Sequence, residues 1–350
     1  MDAIASLGLP ESRWVDVEGL VHYCEWAGPP GGPTFVLVHG LGGSLLNWAP
    51  VAPRLAGRGR VLALDLRGFG MTPAEANPTG VGANRRLLDG FLRALDVPPA
   101  VLVGNSMGGM ISLIQAAHAP ATVRALVLAD AAFPRGRSVS SQPTPWIAAA
   151  FAIYSTSRLG ERVLSVRARR LGAEGLVRET FRLCAADPDS IDPALVAAHV
   201  EMVRTREGFE YARQAFLDAA RSIFRSQARP GKYRALVRAV RTPALVLHGA
   251  RDRLIPVAAA RESSALHDNW DLVVFDHLGH LPMMEDPDRF LRTVEEWLDR
   301  KSTDLLPGGL QQVEQRIVDP SSQNLDVGQR VPVGGEAERH RAGQARHRDR

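Results

Sequence analysis

Cysteine and lysine are nearly missing from this 350-residue chain: Cys24 and Cys184 are its only cysteines, Lys232 and Lys301 its only lysines. Two cysteines so far apart in sequence cannot build a disulfide framework, which points to a reducing, cytoplasmic setting. Neither sits at a metal-ligand spacing and no HExxH or CxxC occurs, so no metal and no cofactor is expected. Long apolar runs are missing too. The longest, Trp146–Tyr154 (WIAAAFAIY), has nine residues, under half of the ~20 that a membrane-crossing helix needs. The opening MDAIASLGLPESRW has neither a basic start nor an apolar stretch, so no secretory signal is expected. Basic residues interleaved with aromatics do not occur, and this argues against nucleic acid as a partner.

What is present is ordinary globular composition, with 45% hydrophobic and 23% charged residues. The length suits one large domain with an insertion, or two modest domains. The formal net charge of +4 is unevenly placed. Residues 133–240 hold 18 Arg and Lys against 10 Asp and Glu, whereas 1–132 hold 9 against 10 and 241–300 hold 7 against 11. The basic middle, including Arg167, Arg169 and Arg170, reads first as a solvated helix face. The functional alternative is a weak contact with an anionic membrane surface or an acidic substrate.

Short runs that are apolar on both faces recur along the chain: Thr34–Val38, Arg60–Leu66, Ala100–Val103, Arg124–Ala129, Ala244–Leu247 and Leu272–Phe275. Strands of that kind belong to a parallel sheet covered by helices. Trp14–Val17 and Val21–Trp26 read as an N-terminal hairpin around Glu18-Gly19-Leu20. Helical patterns fill the gaps at about Trp48–Ala56, Asn84–Leu95, Met107–His118, Val257–Ser264 and Pro287–Arg300. The expected fold is therefore α/β, a mostly parallel central sheet of about eight strands flanked by helices. Between Phe133 and Arg241 the alternation stops, and helical spacing appears instead, as in Arg158–Leu171 and Leu195–Val203. The core is expected at 1–132 and 241–303, with an inserted helical cap at 133–240. From residue 304 to 350 apolar density falls and Gly, Gln, Arg and Glu dominate, the composition of a disordered tail.

The strongest local signal is Gly104-Asn105-Ser106-Met107-Gly108-Gly109, placed between a strand and a helix. G-x-S-x-G in that context is a nucleophile elbow: the serine takes a strained bend, and its neighbours two residues away must be small. A buried turn serine is the bland alternative, which does not require so particular a flanking pattern. A second glycine-rich turn, His39-Gly40-Leu41-Gly42-Gly43-Ser44, follows an earlier strand. The backbone N–H of Leu41, paired with that of Met107, could form an oxyanion hole.

These residues resemble the α/β-hydrolase fold family, over about 14–132 and 241–300. Asp65-Leu66-Arg67-Gly68-Phe69-Gly70 is similar to the family's turn after its fourth strand. The family's order of Ser, then Asp or Glu, then His implies Asp252 in Gly249-Ala250-Arg251-Asp252 as the acid. It implies His280 as the base, since Gly279-His280 with Glu285 and Pro287 resembles the family's histidine loop. His277 and Asp130 are the rival base and acid; Asp130 ends a strand where some relatives carry their acid. His39 and His248 read as structural, and Asp276 lies too near the histidine loop to brace it. Serine at the elbow excludes the relatives that use aspartate there. The resemblance implies a serine hydrolase cleaving small or lipid-like apolar carboxylic esters through an acyl-enzyme. Trp48, Trp146 and Phe151 are candidate pocket walls, with packing in the core or on a cap helix as the plain alternative. Carbon–carbon hydrolysis of ring-cleavage products, perhydrolysis and a low-turnover ligand sensor are the other readings. The oligomeric state is not legible.

Overall fold

The computed structural model describes residues 3–74, 77–136, 145, 149, 153–154 and 156–301. Among the described residues eight strands run in chain order: β1 (Arg13–Asp16), β2 (Leu20–Trp26), β3 (Thr34–Val38), β4 (Arg60–Leu64), β5 (Ala100–Asn105), β6 (Val123–Ala129), β7 (Ala244–Gly249) and β8 (Trp270–Phe275). They form one sheet in the order β1-β2-β4-β3-β5-β6-β7-β8. The pairs from β4 to β8 are parallel, while β1–β2 and β2–β4 are antiparallel. The β1–β2 turn is closed by Asp16 Oδ1, which accepts from Gly19 N at 2.9 Å.

Every residue of β3, β5 and β7 is buried, because helices cover both faces of the sheet. Alternate residues feed two cores. Phe35, Leu37, Val101 and Val103 meet α1 (Ala52–Ala56) and, at the last positions of the chain described, a helix over Pro287–Arg300. Val36, Val38, Leu102 and Leu126 meet α2 (Val81–Ala94) and α3 (Met107–His118). The expected helix from Trp48 is in fact a 3-10 turn, Leu45–Trp48, followed by α1. Pro50 interrupts it, since proline has no N–H for a continuous ladder, whereas Pro53 falls in the first turn of α1, where that N–H needs no partner. β4 stops at Leu64, short of the expected Leu66, because Leu66 N donates instead to His39 Nε2 at 3.0 Å.

Among the described residues, four longer helices lie between β6 and β7: α4 (Ser157–Cys184), α5 (Pro193–Glu207), α6 (Ala212–Gln227) and α7 (Pro230–Ala239). Gly172, at φ 60° and ψ −177°, breaks α4 just past the expected end at Leu171. α5 packs on the Leu45–Trp48 turn, α6 on α2 and α7 on α3. The last helices are α8 (Val257–Ser264), α9 (Pro282–Glu285) and α10 (Pro287–Arg300). Trp146, Phe151 and the 304–350 segment lie outside the described residues.

Candidate active site

The parallel strands all end on one edge of the sheet, and the loops leaving β3, β5, β6, β7 and β8 meet there. β5 runs straight into α3 through Ser106, whose φ of 54° and ψ of −115° are those of a tight, strained bend. Such a conformation costs about 1–3 kcal/mol in a residue with a side chain. Backbone bonds over-determine it: Ser106 N donates to Ala129 O at 3.0 Å, and Ser106 O accepts from Ala132 N at 3.0 Å and Met110 N at 3.1 Å. The close approach explains Gly108. A Cβ there would stand 2.0 Å from Val38 O and 2.6 Å from His39 O, so only glycine lets α3 start against the end of β3.

The histidine loop is built as firmly. Glu285, buried, accepts from Gly279 N, Leu281 N and Ala186 N at 2.7–3.1 Å. His280 N donates to Cys184 O at 2.7 Å, so the end of α4 holds the same loop from above. Asn105 Nδ2 donates to both His280 O (3.0 Å) and Ala129 O (3.1 Å), joining this loop to the elbow. His280 is 4% exposed, and its Nδ1 lies 2.7 Å from Asp252 Oδ2. Asp252 Oδ1 accepts from Leu254 N (2.7 Å) and Ile255 N (3.1 Å). Burial pushes the Asp252 carboxyl up, but the charge and hydrogen bond of His280, with His248 and the Ile255 N–H, outweigh it and hold the group below the usual carboxylate range. An ionised Asp252 with its histidine bond selects the Nδ1–H tautomer, leaving Nε2 as the free base. Ser106 is half-buried, and its Oγ makes no hydrogen bond among the described residues. Contacts of this kind commonly tighten only with substrate bound.

The glycine-rich turn after β3 abuts the elbow. A Cβ on Gly40 would lie 3.1 Å from Ser106 Cβ. His39 is fully buried, its Nδ1 donating to Gly40 O at 2.7 Å while Nε2 accepts from Leu66 N; burial pulls its pKa below normal. Leu41 therefore sits on a braced loop, and Met107 is the first residue of α3, where helix N–H groups have no intrahelical partner. Over this turn lies Phe216 of α6, its Cε2 3.2 Å from where a Cβ of Gly42 would stand. Tyr154 meets the Phe216 ring edge-on at 5.8 Å, and its hydroxyl accepts from Arg167 Nη1 at 2.7 Å.

The rival residues separate clearly. His277 and Asp276 are exposed, whereas His280 and the Asp252 side chain are buried. Asp130 is buried beside Asp252 but bonds Gly249 N at 2.9 Å and carries no bond to His280 among the described residues. Trp48 is fully buried among core residues, which favours the packing role over a pocket wall. Of the arginines proposed for an acidic contact, Arg167 is tied to Tyr154 and to Glu179 at 2.7 Å. Two residues escaped sequence reading. Asp65, inside the family-like turn, accepts from His22 Nδ1, Leu45 N and Met71 N at 2.7–2.9 Å and so anchors the segment leaving the glycine turn. Arg206 of α5 donates to Gly68 O and Gly70 O, both at 2.6 Å. Side-chain donors of Asp130, His248 and Asp252 gather within 4.8 Å of one another. His248 Nε2 is committed to Ile255 O (2.9 Å) and Asp252 to His280 and backbone, so this set could turn to a cation only by breaking those bonds.

The comparisons agree with this architecture. A family model described as the alpha/beta hydrolase fold matches residues 33–287. The chain is 31% identical over 273 residues to 2-hydroxy-6-oxo-2,4-heptadienoate hydrolase of Pseudomonas putida, covering 76% of this chain and 89% of that one. It is 30% identical over 271 residues to 2-hydroxymuconate semialdehyde hydrolase of a Pseudomonas species, covering 75% and 86%. Among solved structures, a lipase-like protein of Acinetobacter baumannii superposes with a TM-score of 0.68 at 23% identity, over 86% of this chain and 95% of that one, a likeness of fold alone. No described helix is long and apolar enough to cross a membrane. With a family model matching most of its length, the chain belongs to the alpha/beta hydrolase fold family.

Proposed function

We propose that this protein is a serine hydrolase and that carboxylic esters with an apolar acyl part are its substrates. The observation that carries the reading is the buried His280–Asp252 pair at 2.7 Å on a loop bonded directly to the Ser106 elbow. Ser106 Oγ attacks the carbonyl carbon as its proton passes to His280 Nε2. The carbonyl oxygen, now negative, is received by the N–H groups of Leu41 and Met107; losing one such donor costs ~10²–10³ in rate. His280 returns the proton to the departing alcohol, leaving an ester on Ser106. Water then attacks that ester, gives its proton to His280, and the acid leaves as Ser106 regains its hydrogen. Asp252 keeps the imidazole in one tautomer and stabilises its charged form.

The helices between β6 and β7 serve as a cap, with Phe216 over the glycine turn as an apolar wall. Each methylene buried against such a wall contributes about 0.8 kcal/mol, enough to favour longer acyl chains severalfold per carbon. A p-nitrophenyl ester series from acetate to palmitate tests the reading. Turnover abolished by Ser106→Ala is expected, and turnover unaffected by that change refutes it. The second reading is hydrolysis of a carbon–carbon bond in a vinylogous diketone, supported by the names of the two Pseudomonas relatives. Loss of colour from a ring-fission dienone, with esters untouched, would select it.

A further inference from the structure

Asp130 is a buried carboxyl that the proposed mechanism does not use. It directly follows the last residue of β6, at φ 45°, a backbone conformation that side-chain-bearing residues rarely take and that clusters at functional sites. Its Oδ1 accepts from Gly249 N, the last residue of β7, at 2.9 Å, and its own N–H donates to Leu247 O at 2.9 Å. The side chain is wholly buried, and Oδ2 has no hydrogen-bond partner among the described residues. His248 Nε2 lies 3.6 Å from Asp130 Oδ1 and 3.7 Å from Asp252 Oδ2, so the two carboxyls flank one ring.

We propose that Asp130 is a positioning residue of the triad, a second acid behind Asp252 that fixes the end of β7 and holds a proton while Asp252 is the anion. The inference rests on the triad reading above. Two buried carboxyls within 4.8 Å cannot both be ionised without a resident cation. His248 does not supply one. Its Nε2–H is donated to Ile255 O, its Nδ1 is buried without a partner among the described residues, and burial pulls its pKa down. The other titratable or charged groups around the pair are His280, Glu285, Cys184, Arg253 and Arg261. Asp252 is committed as the anion by His280 and two backbone donors, so the proton resides on Asp130. Burial and the neighbouring Asp252 charge push the Asp130 carboxyl well above its normal range, despite the Gly249 bond. The orphan Oδ2 is then the hydroxyl, and the pair carries one negative charge while His280 is neutral. The nearby acid proton weakens the hold of Asp252 on His280, and the Gly249 bond sets where the loop bearing Asp252 begins.

The test uses the full chain and the variants Asp130→Asn and Asp130→Ala. The infrared difference spectrum of wild type against Asp130→Asn at neutral pH is expected to contain the carbonyl stretch of one un-ionised carboxylic acid. A difference showing only carboxylate bands overturns the proposal. In kinetics, Asp130→Ala is expected to lower kcat about tenfold or more at little changed KM and to move the acid limb of kcat/KM to higher pH. Asp130→Asn, which keeps an acceptor for Gly249 and a donor near Asp252, should recover most of that loss and restore the limb. Equal kinetics in both variants, with an unmoved limb, would make Asp130 merely structural. Should Asp130→Ala fail to fold, the infrared measurement still decides. Because that measurement needs no substrate, its failure is distinct from a failure of the triad reading, which would show as Ser106 lacking reactivity.

Discussion

Replacing Asp65 probes the node that joins fold to site. The carboxyl is fully buried and accepts three bonds: His22 Nδ1 at 2.7 Å, Leu45 N at 2.7 Å and Met71 N at 2.9 Å. Removing it in Asp65→Ala leaves one buried and one partly buried backbone N–H and an imidazole without their acceptor. Bonds to a charged group contribute about 1.5–3 kcal/mol each, and breaking a buried pair costs about 3–5 kcal/mol, with partial relaxation offsetting simple addition. The expected loss is about 4–6 kcal/mol, a large share of the ~5–15 kcal/mol available to a folded domain. Asp65→Asn keeps one oxygen, and His22 can turn its tautomer to accept from the amide. Met71 N then faces a second donor, so about 1–3 kcal/mol is expected. Burial raises the Asp65 carboxyl, but His22, His39 and the Met71 N–H outweigh it and hold the group below its ordinary value. Folded-state depression means the stabilisation is complete above the unfolded value of ~3.9 and is lost as pH falls through the folded value. Urea unfolding followed by circular dichroism at pH 7, 5 and 3.5 measures this. The gap between wild type and Asp65→Asn should hold from pH 7 to 5 and narrow at 3.5. Equal losses for Asn and Ala, or a gap that widens in acid, would refute the reasoning.

Other positions give independent tests. Gly108→Ala drives a Cβ to 2.0 Å from Val38 O and should destabilise by more than about 3 kcal/mol in thermal unfolding. Gly82, in α2 with nothing within 4 Å of its virtual Cβ, should instead gain about 0.5–1 kcal/mol as alanine. Phe216→Ala should leave ester turnover intact for acetate while altering KM for long chains, read from the p-nitrophenyl series; an identical chain-length profile would remove Phe216 from the pocket. For Asp130 the linkage runs opposite to Asp65. A folded value raised above the unfolded one costs stability increasingly as pH rises from ~4, so the melting temperature of Asp130→Asn should gain on wild type between pH 4 and 8.

Much of this was legible because the governing physics is local. Val36, Leu102 and Val246 lie in unbroken apolar runs, which only a sheet covered on both faces explains. Helices α3, α8 and α10 have the expected bounds, set by the elbow, by Pro256 and by Pro287. What escaped depends on contacts distant in sequence. Asp65 reads as an ordinary turn aspartate until His22 and Leu45 are seen to converge on it. Arg206 reads as part of a basic surface, yet its guanidinium closes on Gly68 and Gly70 carbonyls. The packing of Phe216 on Gly42 joins a helix to a loop through shape alone, and no periodicity encodes it. Around the site, residue types were legible from the glycine and acid spacing, whereas the second carboxyl at Asp130 has meaning only once β6 and β7 lie side by side.

The mechanism stands on one reactive oxygen, and a fluorophosphonate probe read by intact mass addresses it directly. The account predicts a single adduct on the wild-type chain, mapping to Ser106, lost in Ser106→Ala and slowed by orders of magnitude in His280→Ala. A folded wild-type protein that stays unlabelled, or an adduct that persists without Ser106, would contradict it.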